Sequence, residues 1–591
     1  MSLEEALSHV GTGPFQWMVL GVCGLANAAD AVEILSVSLL GAAAEQEFNL
    51  TPRRTGALNA CIFVGMFLGG LIWGQLGDAI GRRRALLAAC ALNAGFGALS
   101  AAARSLPALL VLRLGAGLGV GGSMPVVFAI MSEFCSPSSR GKFMAMLAST
   151  WMLGSLYSAS AGWLLIPLAG LGWRVFVLAA CLPAAAAAAL TAVLLPESPR
   201  YLSVMGRGRE AAAVLQLAAK MNGRRLPPHA LPPSFHHHDQ DILTAAAAAA
   251  VVDTAVASDA VAVAVGSTAA IAANTVGSTA GPGPHSLSEA VAVAVAATTA
   301  SPPIKYPPPV LPPPHPLQQP HNHQHQPKPP AIPPSAPLWR FATSLRAAGC
   351  RSGRVLRVLL RPPLLRYTLP LAAGWVGLCG GWYCTVLWVP RYFEQRGARG
   401  QDVYAETFAV ALANLPGNLA SIWLVDRLGR RLTACVCMAG ACVAALMFAA
   451  APAHGGWPLA AACVFNGISV GGWNSLDMIS AELYPTSLRS SGFGLLNALG
   501  RLSSFATTYA AGALMEGAAS WAPLLLAAVL LAAGSAAMLS LPEPAGKPLQ
   551  DSFCEEDLER EGHLQEERAR LLEAGGSCSG GSSLRQALRG G

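Results

Sequence analysis

Two acidic side chains, Asp30 and Glu33, lie inside an apolar run that extends from about Phe15 to Ala44. Ionisable groups at such positions are costly unless they are paired or used. Standing three residues apart, they share one face of a helix. A single arginine, Arg113, interrupts another apolar run. Counted along the helix axis from run ends near Gly41 and Leu106, Glu33 lies roughly 12 Å deep and Arg113 roughly 10 Å. The matching depths lead to the expectation that Arg113 neutralises the Asp30 and Glu33 pair. Two carboxylates this close do not readily both ionise, which suits them to taking up and releasing a proton coupled to solute movement. A static, fully paired cluster that only sets helix packing is the competing reading.

A second set lies late in the chain. Asn466, Asn474 and Asp477 share one apolar run and Arg501 occupies the next. Trp375, Trp382, Tyr383 and Trp388 cluster in an earlier run, with Trp151, Tyr157 and Trp473 elsewhere. In a membrane bundle aromatics commonly pack or form interfacial belts. If Trp382 and Tyr383 face a cavity, they suit a flat or cationic organic solute through stacking and cation–π contact. The acids agree with an organic cation and Arg113 or Arg501 with an anion, so both remain open.

The elements that must position these groups follow from composition. Across 591 residues, 53% are hydrophobic and 12% charged, against about 25% charged in soluble domains. This is a polytopic membrane protein. Spans of about 20 apolar residues are expected near 15–41, 55–76, 84–103, 106–131, 142–166 and 173–195, then 367–392, 403–424, 432–452, 458–480, 492–514 and 521–541. The first run is long and lacks a basic leader, so it reads as a retained helix rather than a signal peptide. A formal charge of +7 fits basic cytoplasmic loops, and no basic and aromatic patch points to nucleic acid. The 14 cysteines read chiefly as small buried hydrophobes. No phosphate-cradling loop and no catalytic constellation is visible, so no enzyme activity, cofactor or metal is expected. The His236-His237-His238 run reads as solvated low complexity.

Polar turns repeat between the runs. Gly77-Asp78-Ala79-Ile80-Gly81-Arg82-Arg83-Arg84 is echoed by Val425-Asp426-Arg427-Leu428-Gly429-Arg430-Arg431. Asp78 and Asp426 are 348 residues apart, Glu133 and Glu482 are 349 apart, as are Arg140 and Arg489, and Glu197 and Glu543 are 346 apart. Landmarks at a near-constant offset mean a duplicated unit. Asp477 falls opposite Phe128 in that register, and such asymmetry points to solute or gate rather than scaffold.

These motifs, together with Asp30-Ala31-Val32-Glu33, Pro196-Glu197-Ser198-Pro199-Arg200 and Ala481-Glu482-Leu483-Tyr484-Pro485-Thr486, resemble the major facilitator superfamily. They are most similar to its sugar porter and organic-ion branch and, within that, to the synaptic vesicle glycoprotein 2 relatives. The resemblance covers roughly 15–202 and 365–549. It implies an all-α membrane fold of twelve helices in two pseudo-symmetric six-helix bundles. It also implies that Asp78, Arg82, Glu133, Arg140, Asp426, Arg430, Glu482 and Arg489 form a cytoplasmic charge network that latches and releases as the halves rock. The chain departs from the sugar porter ending after Pro542-Glu543.

The expected organisation is a cytoplasmic N-terminus (1–14), a first bundle (15–202), a cytoplasmic central loop (203–364), a second bundle (365–541) and a cytoplasmic tail (542–591). The loop's Pro, His and Ala content cannot build a core. Within it, Thr244 to Ala273 is apolar enough to mimic a span, but Asp253 and Asp259 make insertion costly. Short amphipathic helices are expected around Arg207 to Arg225 and Trp339 to Arg361. With both termini and the arginine turns cytoplasmic, the reading is a monomeric secondary transporter that moves a small organic solute with protons. The membrane is the plasma membrane or that of an intracellular vesicle or vacuole. A sugar-type facilitator or a non-transporting receptor of the same fold are the alternatives.

Overall fold

The computed structural model describes residues 3–226, 358–362, 364–452, 455–484, 489–517 and 521–543. The apolar runs form twelve long helices. The first bundle contains α1 (Pro14–Ala43), α2 (Pro52–Ile80), α3 (Arg82–Ser100), α4 (Leu106–Phe134), α5 (Pro137–Trp163) and α6 (Gly172–Leu194). The second contains α7 (Leu365–Val386), α8 (Gln401–Val425), α9 (Arg427–Ala450), α10 (Trp457–Glu482), α11 (Arg489–Glu516) and α12 (Ala522–Met538). Helices satisfy every backbone group internally, the condition for crossing lipid.

Packing repeats between the bundles. In the first, α1 packs on α5 and α6, α2 on α4, and α3 on α4 and α6; in the second, α7 packs on α11 and α12, and α8 with α9 on α10 and α12. Small residues permit this closeness. A β-carbon at Gly65, Gly117 or Gly121 would stand 2.2, 2.3 or 2.1 Å from a backbone oxygen of the partner helix, so α2 and α4 meet backbone to backbone.

Proline sets the departures from the expected spans. The seventh span ends early, at Val386, and a short helix, Val389–Gln395, follows at a 46° bend. Pro390 stands at the start of that short helix, where its missing N–H is tolerated. The fifth helix starts at Pro137 and runs into a π-turn, Leu164–Leu168, that holds Pro167. The eighth and ninth spans run on through Gly429, whose φ of +80° turns the chain.

An amphipathic helix, Gly208–Met221, follows the first bundle as expected. Its Leu215, Ala218 and Ala219 share a core with Ala6, Leu7 and Val10 of an N-terminal helix, Leu3–Val10. Asn222 ties the two together: its Oδ1 accepts from the Phe15 N–H at 3.1 Å, and its Nδ2 donates to the carbonyls of Val10 and Gly11 and to Gln16 Oε1. The expected helix near Trp339 to Arg361 and the run from Thr244 to Ala273 lie wholly or almost wholly outside the described residues.

Candidate functional site

In the first bundle Arg113 is fully buried, and its Nη1 donates to Glu33 Oε1 at 2.6 Å. Its Nε and Nη2 find no partner among the described residues. Buried donors left unmade are costly, so this guanidinium has room for one more acceptor. No ion pair to Asp30 forms. Instead Ser123 Oγ donates to Asp30 Oδ2 at 2.6 Å. The expectation that one arginine neutralises both acids is therefore corrected. Arg113 closes on Glu33, and Asp30, nearer the arginine turns, falls to the α4 hydroxyl opposite it.

In the second bundle Arg501 Nη1 donates to the Tyr383 hydroxyl at 3.1 Å and its Nε to Asn497 Oδ1 at 3.3 Å. Its Nη2 lies 3.5 Å from Met124 Sδ on α4, across the seam between bundles. It makes no ion pair within 4.0 Å among the described residues. Asp477 Oδ1 is buried with no hydrogen-bond partner among the described residues. One turn before it, Trp473 lies 6.1 Å from Trp375, 5.8 Å from Trp382 and 6.2 Å from Tyr383, all edge-on. Trp382 Nε1 donates to Asn466 Oδ1 at 3.0 Å, and Asn466 Nδ2 to the Val410 carbonyl at 2.8 Å. Asn474 donates to Asn418 Oδ1 and Ser421 Oγ, and Asn418 reaches Ser149 Oγ of the first bundle at 3.0 Å. Phe63 on α2 packs edge-on against Tyr383 at 4.7 Å. The structure thus brings the second set to the seam, where Arg501 reaches Met124, Tyr383 meets Phe63 and Asn418 meets Ser149, while Arg113 and Glu33 close on each other inside the first bundle, beside Gly97.

The polar turns carry a second, duplicated arrangement. Glu197 Oε1 accepts the backbone N–H groups of Arg82 and Arg83 at 2.8 and 3.2 Å; Glu543 accepts those of Arg430 and Arg431, each at 3.0 Å. Each carboxylate caps the start of a helix, where unpaired N–H groups favour an anion. Gly81, at φ +104°, and Gly429 adopt the left-handed backbone that brings each helix start onto its acid. Arg82 Nε lies 3.5 Å from Glu133, and Arg430 Nε 3.4 Å from Glu482. Arg140 reaches outside the expected network: it lies 3.9 Å from Glu4 of the N-terminal helix, which also takes Arg200 at 3.1 Å. The side chains of Asp78, Asp426 and Arg489 lie outside the described residues.

The family model described as Major Facilitator Superfamily matches residues 22–508 and 405–574. The chain belongs to the major facilitator superfamily. Human synaptic vesicle glycoprotein 2B is 27% identical over 91% of this chain and 85% of its own length, and bovine synaptic vesicle glycoprotein 2A is 27% identical over 93% and 80%. Among solved structures, the xylose transporter XylE from E. coli, in a partially occluded inward open conformation, superposes with a TM-score of 0.58 at 14% identity, covering 91% of this chain and all of that one. A structure of the proton:xylose symporter XylE bound to 6-bromo-6-deoxy-D-glucose gives 0.55 at 16% identity. The shared fold is that of a facilitator with twelve helices.

Within this facilitator the contacts between bundles gather toward the face opposite the arginine turns. Asn59 Nδ2 donates to the Leu387 carbonyl at 3.3 Å, Asn414 to Ser155 Oγ at 3.4 Å, and Trp163 packs on Phe408. Under them lies a cavity of about 30 Å³, lined by residues that include Ser38, Ser155, Ser158, Thr407 and Asn466. On that face Glu47 accepts from Arg174 and from Trp173 Nε1, and the Arg174 hydrogen bonds hold its carboxyl below the usual range. Sequence reasoning missed Glu4, Ser123, Asn418 and the whole of this face. Hydroxyls and amides carry no pattern that marks them.

Proposed function

We propose that this chain is a secondary active transporter that moves a small organic solute by alternating access, with protons as the coupling ion. One observation carries the reading: the spans hold three carboxylates, Asp30, Glu33 and Asp477, with atoms shut away from solvent, against two buried guanidiniums, Arg113 and Arg501. With all five ionised, this set is one positive charge short of neutrality, which a proton or a cationic group supplies. Asp30 has a hydroxyl rather than a cation as its partner, so it is the natural proton acceptor. Trp382, Tyr383 and Trp473 form the wall, while Asn466, Asn474 and Asp477 supply directed polar contacts.

In this reading the face with the arginine turns and both chain ends is cytoplasmic, following the basic-inside bias. Arg82 with Glu133 and Arg430 with Glu482 belong to the cytoplasmic gate, as do Asp78, Arg140, Asp426 and Arg489. The protein works as a monomer, in the plasma membrane or in a vesicle membrane such as the names of its relatives suggest. A sugar-type facilitator is the second reading, favoured because the similar solved structures are xylose transporters. Uptake of a solute library into proteoliposomes, with and without a pH gradient, tests both. Accumulation driven by an inward proton gradient and lost in Asp30→Asn is expected. Proton uptake that persists with both Asp30→Asn and Glu33→Gln in place removes the coupling, and gradient-independent equilibration of a sugar establishes the second reading.

A further inference from the structure

The far face, opposite the arginine turns, carries an ion cluster that bridges the bundles. Arg391 sits on the short helix after the bend of α7, and its Nη1 donates to Glu45 Oε2 at 2.5 Å. Glu45 belongs to the first bundle, on the turn Glu45–Phe48 between α1 and α2. The same Nη1 donates to Glu394 Oε2 at 3.2 Å, one turn along its own helix. All three side chains are about two-thirds buried, with 29, 34 and 30% of their side-chain surface exposed for Arg391, Glu45 and Glu394. On the α2–α11 side, the Arg53 backbone N–H donates to Glu516 Oε1 at 3.1 Å and its Nε to the Tyr509 hydroxyl at 3.3 Å. There Gly56 and Gly512 bring the helices into backbone contact, a β-carbon on Gly56 meeting the Gly512 Cα at 3.1 Å.

The duplication shows what is special about the first cluster. Glu45 and Glu394 are 349 residues apart, the same offset as Glu133 and Glu482, so the two acids are copies of one position. The position that matches Arg391 is Ala42. One guanidinium therefore stands between two equivalent carboxylates, one from each bundle. Glu394 is its partner within the bundle and moves with it as a rigid body. Glu45 is the partner that rocking would withdraw. Because Glu394 stays, opening never leaves Arg391 buried and unpaired, the situation that makes breaking a buried ion pair expensive.

We propose that Glu45, Arg391 and Glu394 form the gate of the far face, with Arg391 shared between the bundles when that face is closed and held by Glu394 alone when it opens. This rests on the alternating-access reading above and adds to it the residues that seal the side away from the arginine turns. The Arg53, Glu516 and Tyr509 contact closes the other edge of the same seam. The positive charge of Arg391 on this face then has its place fixed by the seal rather than by topology.

Hydrogen–deuterium exchange on the full chain in lipid nanodiscs tests the gate. Glu45→Gln and Arg391→Gln are compared with wild type, with the swap Glu45→Arg plus Arg391→Glu, and with Glu133→Gln at the opposite face. Loss of the bridge shifts the two-state ratio by about fivefold. Amides in residues 52–60 and 509–517 are expected to exchange faster by that factor, amides in 137–147 to exchange more slowly, and the swap to restore both. Unchanged exchange in both single variants, faster exchange at both faces together, or a swap that restores nothing overturns the gate. If Glu133→Gln gives the reciprocal shift while Glu45→Gln does not, only the gate is wrong. If neither variant does, alternating access itself falls.

Discussion

Neutralising Glu33 should be far more damaging than removing Glu33 and Arg113 together. Arg113 is fully buried and its one described ionic partner is Glu33, at 2.6 Å. Two of its nitrogens already lack acceptors among the described residues. Glu33→Gln keeps the shape but leaves a guanidinium uncompensated in a low-dielectric interior, and removing one member of a buried pair costs about 3–5 kcal/mol. Arg113→Gln leaves Glu33 stranded in the same way. Replacing both by apolar residues of similar volume, Glu33→Leu with Arg113→Met, removes both desolvation penalties along with the attraction and should change stability by no more than about 1–2 kcal/mol. A double-mutant cycle closed with the matching single variants, Glu33→Leu and Arg113→Met, and read by thermal unfolding in detergent with ligand absent, measures the coupling. If the two single losses simply add in the double variant, the pair is not coupled and the buried-charge reasoning fails. The same variants separate structure from transport, since the stable double variant should retain its fold and lose proton-driven uptake.

Further outcomes follow from the other sites. Glu197→Ala removes the acceptor for two backbone N–H groups at the start of α3 and should destabilise by about 1–3 kcal/mol; Glu543→Ala should match it, because the second bundle repeats the geometry, and unequal melting shifts would contradict the equivalence. Asp477→Asn keeps the side chain's size and removes its charge, so binding of a cationic solute, followed by tryptophan fluorescence from the Trp473 cluster, should weaken at least tenfold, or about 1.4 kcal/mol, while a neutral solute should be little affected. Glu47 is held below its ordinary value of 4.5 by Arg174, so its contribution is complete above that pH and fades as pH falls through the lowered value. Exposure limits it to about 1 kcal/mol or less, and Glu47→Gln should remove this part of the acid-side loss in a pH series of melting curves.

Much of this architecture is legible in the residues themselves. The constant offset between Glu133 and Glu482 and between Glu197 and Glu543 announces two copies, and the structure shows both acids of the second pair capping equivalent helices. Equal depths along two helices sufficed to place Glu33 against Arg113. What depth does not carry is direction around the helix axis, which is why Asp30 finds Ser123 rather than the arginine. The link between Arg140 and Glu4 was hidden for another reason: a short helix before the first span packs back on the bundle, and nothing in its own eight residues names its target. The far-face cluster has no pattern of its own along the chain. Its meaning requires the bend after Val386, which carries Arg391 to the neighbouring bundle.

The clamp at Asn222 bears on biosynthesis. By holding the N–H of Phe15 and the carbonyls of Val10 and Gly11, it fastens the entrance of the first span to a point reached only after the sixth has emerged from the ribosome. The first bundle is thus closed on itself by residue 226, well before any of the second is made. A gene cut after that point should therefore yield two fragments that insert separately and find each other in the bilayer.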